Sequence, residues 1–330
     1  MLHYCTLFNS AYLSRGLAMY YSLEDHCNDF HLYIFAFDND CLTVLLNLKL
    51  KHATIISLKE FEDDELLAVK PGRTSGEYCW TCTSSTIWYC LKTYALDHCT
   101  YIDADLLFFS NPKGIMDEMN EKSILITAHR YTAEHDQSAL SGYYCVQYIT
   151  FKNTAEGLTA LNWWRNACLE WCYKRFEDGK FGDQKYLDDW TTRFKGVHEL
   201  ANIGAGVAPW NVQQYDLLHK ANKIQVLDTT FLKEDELIFY HFHDFRYCIK
   251  KSFRLTAEQY YLSKAVIKDI YKPYIKALVA AENKIRTINK EITFHEPLLN
   301  FDWIKRVTGR RVTFIFKGYY RNYYKKRKLI

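Results

Sequence analysis

Two carboxylates stand two residues apart inside an apolar run, Tyr101-Ile102-Asp103-Ala104-Asp105-Leu106-Leu107-Phe108-Phe109. In extended backbone, side chains two residues apart project to the same side, so Asp103 and Asp105 share a face. Two like charges at the edge of a core repel and resist desolvation, and a divalent cation between them is the simplest electrostatic resolution. An exposed strand end is the alternative that needs no ligand. A second element lies far downstream in Phe239-Tyr240-His241-Phe242-His243-Asp244, where two imidazoles alternate along an apolar strand. His241 or His243 can complete a cation site, or both can be core histidines with satisfied ring nitrogens. Mixed carboxylate and imidazole ligands favour Mn²⁺ or Mg²⁺ over a thiophilic ion. A third element, Gly182-Asp183-Gln184, follows a glycine turn and is expected to open a helix. Its plain structural reading is an acidic helix start near the positive end of the dipole.

The elements that must carry these residues alternate. The pattern predicts a strand at His3 to Phe8, a helix near Tyr12 to His26, a strand at His31 to Phe37 and another at Thr54 to Leu58. A helix near Thr83 to Leu96, opened by Ser84 and Ser85, leads to a strand at Thr100 to Ile102. Such a rhythm implies an α/β fold with a mostly parallel sheet, whose ligands bind beyond the carboxyl ends of the strands, at Asn9, Asp38 and Asp103 to Asp105. Further strands are expected at Ser123 to Ala128, Cys145 to Phe151 and Glu236 to Phe242. Helices are expected at Ala155 to Phe176 and at Thr256 to Ile288, the last interrupted at Pro273.

The formal net charge of +3 excludes a polyanion binder as a whole-molecule reading, and no nucleic-acid partner is expected. The charge is uneven: from Trp303 to Ile330 no acidic residue occurs, and cations alternate with aromatics. That pattern fits an anionic membrane surface, with a solvated basic tail as the alternative. No run reaches the roughly 18 apolar residues of a membrane span, and no signal peptide is read at the start. The eleven cysteines are read as reduced core thiols of a cytoplasmic protein, peripheral on the inner face of the membrane if the tail docks. Neither the Cys79/Cys82 pair nor Cys168 with Cys172 has the second half of a structural zinc site.

A two-carboxylate motif after a strand, then Gly-Asp-Gln, then a histidine cluster on a late strand resembles, in that order, the GT-A glycosyltransferases. The likeness is to the retaining group that includes the bacterial lipooligosaccharide galactosyltransferases and glycogenin (family 8-like). It covers roughly residues 1 to 250, leaving 251 to 330 as a helical, basic and aromatic C-terminal extension. The resemblance implies a mixed, mostly parallel Rossmann-like sheet with helices on both faces. It also implies that Asp103 and Asp105, flanking Ala104, hold Mn²⁺ against a nucleotide-diphosphate sugar, with a third ligand from His241 or His243. Asp183 and Gln184 would face the donor sugar and the acceptor. Thr6, Asn9 and Tyr12 are expected around the base, with Asp38 and Ser84 also toward the nucleotide sugar. The segment Asn202 to Asn211 resembles a glycine-bearing loop near the acceptor. The family's late motif has a Gly where Asp244 stands and then a phosphate-binding Lys, for which Lys250 and Lys251 are the nearest candidates.

The implied activity is transfer of a sugar, a UDP-sugar donor favoured, to a glycan or lipid-linked acceptor with retention, in bacterial surface polysaccharide or lipopolysaccharide synthesis. A metal-dependent phosphoesterase built on His241, His243, Asp244 and Asp103 is a competing reading, as is a catalytically silent nucleotide-sugar-binding protein.

Overall fold

The computed structural model describes residues 1–248, 251–294 and 308–330. Trp303, a tail aromatic, and Lys250, one of the two lysines nearest the place of a phosphate contact, lie outside them. β1 (Leu2–Phe8), β2 (Phe30–Ala36) and β3 (Ala53–Ser57) run parallel, and β4 (His98–Ile102) joins the other edge of β1 in the same sense. β5 (Leu106–Phe108) leaves this sheet. β6 (Ile124–Ala128), β7 (Tyr144–Lys152) and β8 (Val197–Glu199) complete it in the order β3-β2-β1-β4-β7-β6-β8. β7 is antiparallel to both β4 and β6, whereas β8 is parallel to β6, so the sheet is mixed and mostly parallel. With helices on both faces, this is the architecture expected from the sequence.

The strands are apolar on both sides, which is why helices cover both. In β2, Phe30, Leu32, Ile34 and Ala36 enter one cluster with the helices Leu13–His26, Asn39–Leu48 and Lys272–Ile288. Tyr33 and Phe35 point the other way, into a cluster with Ser75–Thr93 and Ala155–Glu170. The helix Lys272–Ile288, from the expected C-terminal extension, is therefore part of the wall on the first face.

Several boundaries move for local reasons. The helix expected from Thr83 begins at Ser75, because Thr74 and Glu77 form a reciprocal capping box. Ser84 and Ser85 consequently lie buried in mid-helix instead of at its start. The helix from Ala155 stops at Glu170, where Trp171 turns extended. In place of one helix from Thr256, the chain is irregular until Ser263 caps Lys264–Val266. A π-helical stretch, Ile267–Tyr271, runs directly into Lys272–Ile288, with Pro273 at the junction, where the regular i→i−4 ladder is already interrupted.

Beyond the main sheet, β9 (Ala205–Val207) is followed by the hairpin sheet of β10 (Tyr215–Lys220), β11 (Lys223–Asp228) and β12 (Lys233–Glu236). The single strand expected over Glu236 to Phe242 is thus divided: β12 ends at Glu236, and β13 (Phe239–His241) changes partners to lie between β5 and β9. A fourth sheet joins β14 (Arg246–Cys248) and β15 (Ser252–Arg254) to β16 (Tyr319–Tyr320) and β17 (Tyr323–Lys325) near the chain end. No helix among the described residues is long and apolar enough to cross a membrane.

The exchange of partners before β13 depends on a close backbone approach at Gly204, where a Cβ would sit 1.9 Å from the carbonyl oxygen of Glu236. Gly204→Ala must push these segments apart. It is expected to lower the free energy of urea unfolding by about 1–3 kcal/mol, the usual range for overpacking.

At the amino ends of the strands, His3 and His98 pack with ring centroids 5.4 Å apart, and His98 Nδ1 lies 2.8 Å from Asp97. His31 Nε2 is 2.8 Å from the Thr54 hydroxyl. Burial is the main cause holding all three imidazoles below their ordinary pKa. The unfolded chain therefore takes up protons at a pH where the folded chain does not. Stability attached to these groups is complete above about pH 6.5 and is lost as pH falls below it. Urea midpoints measured from pH 7.5 to 5 should fall with acid, and the slope should flatten in His3→Gln/His98→Gln.

Candidate metal and sugar-nucleotide site

β4 ends one residue before Asp103, and the chain then turns sharply into β5. The turn is gripped from two sides. The Asp103 N–H donates to the Gln147 carbonyl of β7 at 3.0 Å, and the Phe242 N–H donates to the Asp105 carbonyl at 3.0 Å. Antiparallel pairing of β13 with β5 sets His241 opposite Leu106, next to Asp105. His241 Nε2 consequently lies 3.2 Å from Asp105 Oδ1 and 3.7 Å from Asp103 Oδ2. One ligand atom from each of the three residues falls within 4.8 Å of the others.

The electrostatics follow from that arrangement. Burial raises the Asp103 carboxyl. Burial also opposes charge on Asp105, but His241 outweighs it and holds that carboxyl below its usual range. For His241, burial disfavours the imidazolium, and Asp105 overrides it to raise the ring well above its ordinary value. Tyr101 donates to Asp103 Oδ1 at 3.1 Å, and His241 Nδ1 lies 2.8 Å from Gln147 Oε1. Two carboxylates and an imidazole whose far nitrogen is already engaged form a donor set that fits a hard divalent cation such as Mn²⁺ or Mg²⁺.

His243 is not in this group, although it was expected to share a face with His241. β13 stops at His241, and His243 sits exposed in the following turn, its ring 5.8 Å from that of His241 and nearly perpendicular to it. Asp244 takes a left-handed backbone with φ 59°, and its carboxylate accepts from Arg246 at 3.1 Å and Arg254 at 2.6 Å. Lys251 lies exposed in the turn between β14 and β15.

Asp183 comes close enough to Asp103 for the two to repel. Burial first and Asp103 second push its carboxyl up to about 7. Gly182-Asp183-Gln184 opens only a three-residue 3-10 turn, Lys185–Leu187, because the segment is pinned from outside: the Trp164 indole donates to the Asp183 carbonyl and the Gln184 amide to the Ser141 carbonyl.

The remaining candidates are more dispersed. Asn9 and Tyr12 are half-buried just beyond the carboxyl end of β1, and the Arg15 guanidinium lies 4.2 Å above the Tyr12 ring. The Asp38 carboxylate is committed to structure, accepting from the Ser10 N–H and hydroxyl and from the Cys41 N–H. Thr6 and Ser84 are fully buried in the core, and Ala104 is nearly so. The segment Asn202 to Asn211, likened to a glycine-bearing loop, supplies β9 and a buried turn. In that turn, Asn211 bonds the carbonyls of His129 and Gly206, and Trp210 sets its ring against both His241 and His243.

Gln147 and Tyr101 were missed. The signal for Gln147 was its amide side chain among the apolar residues of Cys145 to Phe151. A second cluster, Cys5, Cys90 and Cys99, offers three thiols within 4.8 Å and, among the described residues, no fourth ligand, and all three lie inside an apolar core where thiols pack as small hydrophobes.

No family model matches the chain. Two proteins of Bacillus subtilis (strain 168) are similar in sequence. The uncharacterized protein YfnD is 33% identical over 280 residues, 83% of this chain and 87% of its own length. YfnF is 32% identical over 251 residues, 74% of this chain and 81% of its own. Solved structures similar to this one include the galactosyltransferase LgtC in complex with donor and acceptor sugar analogs, at 14% identity, with 63% of this chain and 76% of that chain covered and a TM-score of 0.42. Mouse xyloside xylosyltransferase 1 is 12% identical, over 73% of this chain and 97% of that chain, with a TM-score of 0.44. The glycosyltransferase GlyE of Streptococcus pneumoniae TIGR4 is 14% identical, over 62% and 47%, with a TM-score of 0.38. On the identity and coverage of the two Bacillus proteins, this chain belongs to the family of YfnD and YfnF.

Proposed function

We propose that this protein is a GT-A glycosyltransferase that moves a sugar from a nucleotide-diphosphate donor, a UDP-sugar favoured, onto a glycan or lipid-linked acceptor. The observation that carries the reading is the convergence of Asp103, Asp105 and His241 at the carboxyl end of β4, with Asp183 beside them. A cation bound there supplies charge to offset the developing negative charge of a departing diphosphate. Asp103, Asp105 and His241 would hold it, with Tyr101 and Gln147 keeping Asp103 and His241 in place.

Asp183 and Gln184 would face the sugar. An ionised Asp183 would steady positive charge on the ring as the leaving-group bond lengthens. Its high pKa leaves it partly protonated near neutrality, so a bound cation, by countering Asp103, would favour the carboxylate form. Retention of configuration is the stereochemistry proposed, and bacterial surface polysaccharide or lipopolysaccharide synthesis the pathway.

Docking on the inner face of the membrane is part of the same proposal. The Thr308–Lys317 helix exposes Val312, Ile315 and Phe316 beside Arg311 and Lys317, while Phe314 anchors it to the body. Each cation near an anionic surface contributes about 1 kcal/mol. Sedimentation with anionic vesicles should be strong in low salt, weak near 0.5 M as charges are screened to about a Debye length, and reduced in Arg311→Ala/Lys317→Ala. Equal sedimentation with neutral vesicles would remove the electrostatic basis.

The test of the main reading is calorimetric titration of UDP-, GDP-, dTDP- and CDP-sugars with Mn²⁺ and with EDTA. One nucleotide sugar should bind in a metal-dependent way, and Asp105→Ala should abolish that binding. Binding of none of them would reject the transferase reading.

A further inference from the structure

Gln147 touches the candidate cation site through two different groups. Its main-chain carbonyl accepts from the Asp103 N–H at 3.0 Å, and its side-chain Oε1 lies 2.8 Å from His241 Nδ1. One residue of β7 therefore orients two of the three ligand residues, one on each side of the site. The side chain is fully buried and has little freedom to swing away. Its Nε2 packs beneath Gly206, where an added Cβ would lie only 3.0 Å from it, and the Trp210 ring stands edge-on to the imidazole at 5.3 Å.

An imidazole presents one nitrogen to a metal, and the proton on the other decides which nitrogen that is. An amide oxygen facing Nδ1 accepts only from an Nδ1–H, which leaves the Nε2 lone pair directed at the gap beside Asp103 and Asp105. We propose that Gln147 is the positioning residue that holds His241 in this tautomer and orientation, and so completes the cation site without touching the cation. This rests on the cation reading of Asp103, Asp105 and His241 given above.

The main-chain bond to Asp103 survives any side-chain change, so substitutions at this position isolate the effect on His241. Gln147→Leu keeps the volume and removes the acceptor, whereas Gln147→Glu keeps an acceptor at Nδ1. Free Mn²⁺, followed by its electron paramagnetic resonance signal, is titrated into wild type and both variants without nucleotide. The Leu variant should bind about 10- to 100-fold more weakly, the usual loss when a metal histidine loses its hydrogen-bonding partner, and the Glu variant should retain wild-type affinity. In wild type loaded with diamagnetic Mg²⁺, long-range proton–nitrogen correlation spectra should show the His241 proton on Nδ1. Undiminished Mn²⁺ affinity in the Leu variant, or a proton on Nε2, overturns the proposal. If the Leu variant does not fold, the Glu variant and the wild-type spectra decide it. Absence of Mn²⁺ binding by wild type overturns the cation reading itself and this proposal with it, an outcome separate from equal binding by wild type and the Leu variant.

Discussion

The repulsion between Asp103 and Asp105 is the constraint around which this end of the molecule is arranged. Two carboxylates at the close of a buried strand raise each other's cost of ionisation, and the protein answers with an imidazole from a distant strand. In the structure His241 serves as that counter-charge. The same geometry that makes it a good ion-pair partner, Nε2 between two carboxylate oxygens, also makes it a good metal ligand. Asp183 adds a third carboxyl to the neighbourhood and carries the penalty as a raised pKa. Such a concentration of half-buried and buried acids costs stability, and it offers several oxygen donors at one place, a donor set that fits a divalent cation.

Holding His241 in place requires most of the fold. β13 must pair with β5 on one side and β9 on the other, and the chain reaches that slot only by leaving the hairpin sheet at Glu236 and crossing tightly over Gly204. The tight turn at Asp103 to Asp105 is anchored by β7 on the opposite side, where Gln147 faces both partners. The sheet behind it is stiff because its strands are apolar on both faces and are clamped between two helical layers. The helix Lys272–Ile288 belongs to one of those layers, packing against Leu13–His26, so this helix supports the core directly.

Much of the architecture was legible. The opening strands and helix fall within a residue or two of their expected limits, because a doubly covered sheet writes itself as short apolar runs separated by amphipathic helices. The misplaced boundaries have local causes. Thr74 and Glu77 spelled a capping box that the start at Thr83 overlooked, and Pro273 interrupted the late helix at the point where a π-helical stretch ends. At the candidate site, Asp103, Asp105, His241 and Asp183 stood out by residue type and spacing, and the structure brings them together. Thr6 and Ser84 were not distinguishable from core residues, since a buried hydroxyl and a ligand-facing one look alike in one dimension.

The sequence by itself determined the parts: a pair of acids at a strand end, imidazoles on a late apolar run, an Asp-Gln after a glycine turn, and an α/β order that sends strand ends to a common edge. Only the tertiary structure set His241, and not His243, within reach of both Asp103 and Asp105, because that placement rests on where β13 stops pairing with β5. A strand that runs two residues further would carry both rings on one face. It also placed Gln147 against both Asp103 and His241, since the main-chain bond to the one and the side-chain contact with the other arise from the register of β7 against β4 and from the packing of β13. Hydrogen-bond register between strands far apart in the chain depends on the whole sheet closing at once, and no local pattern of residues encodes it.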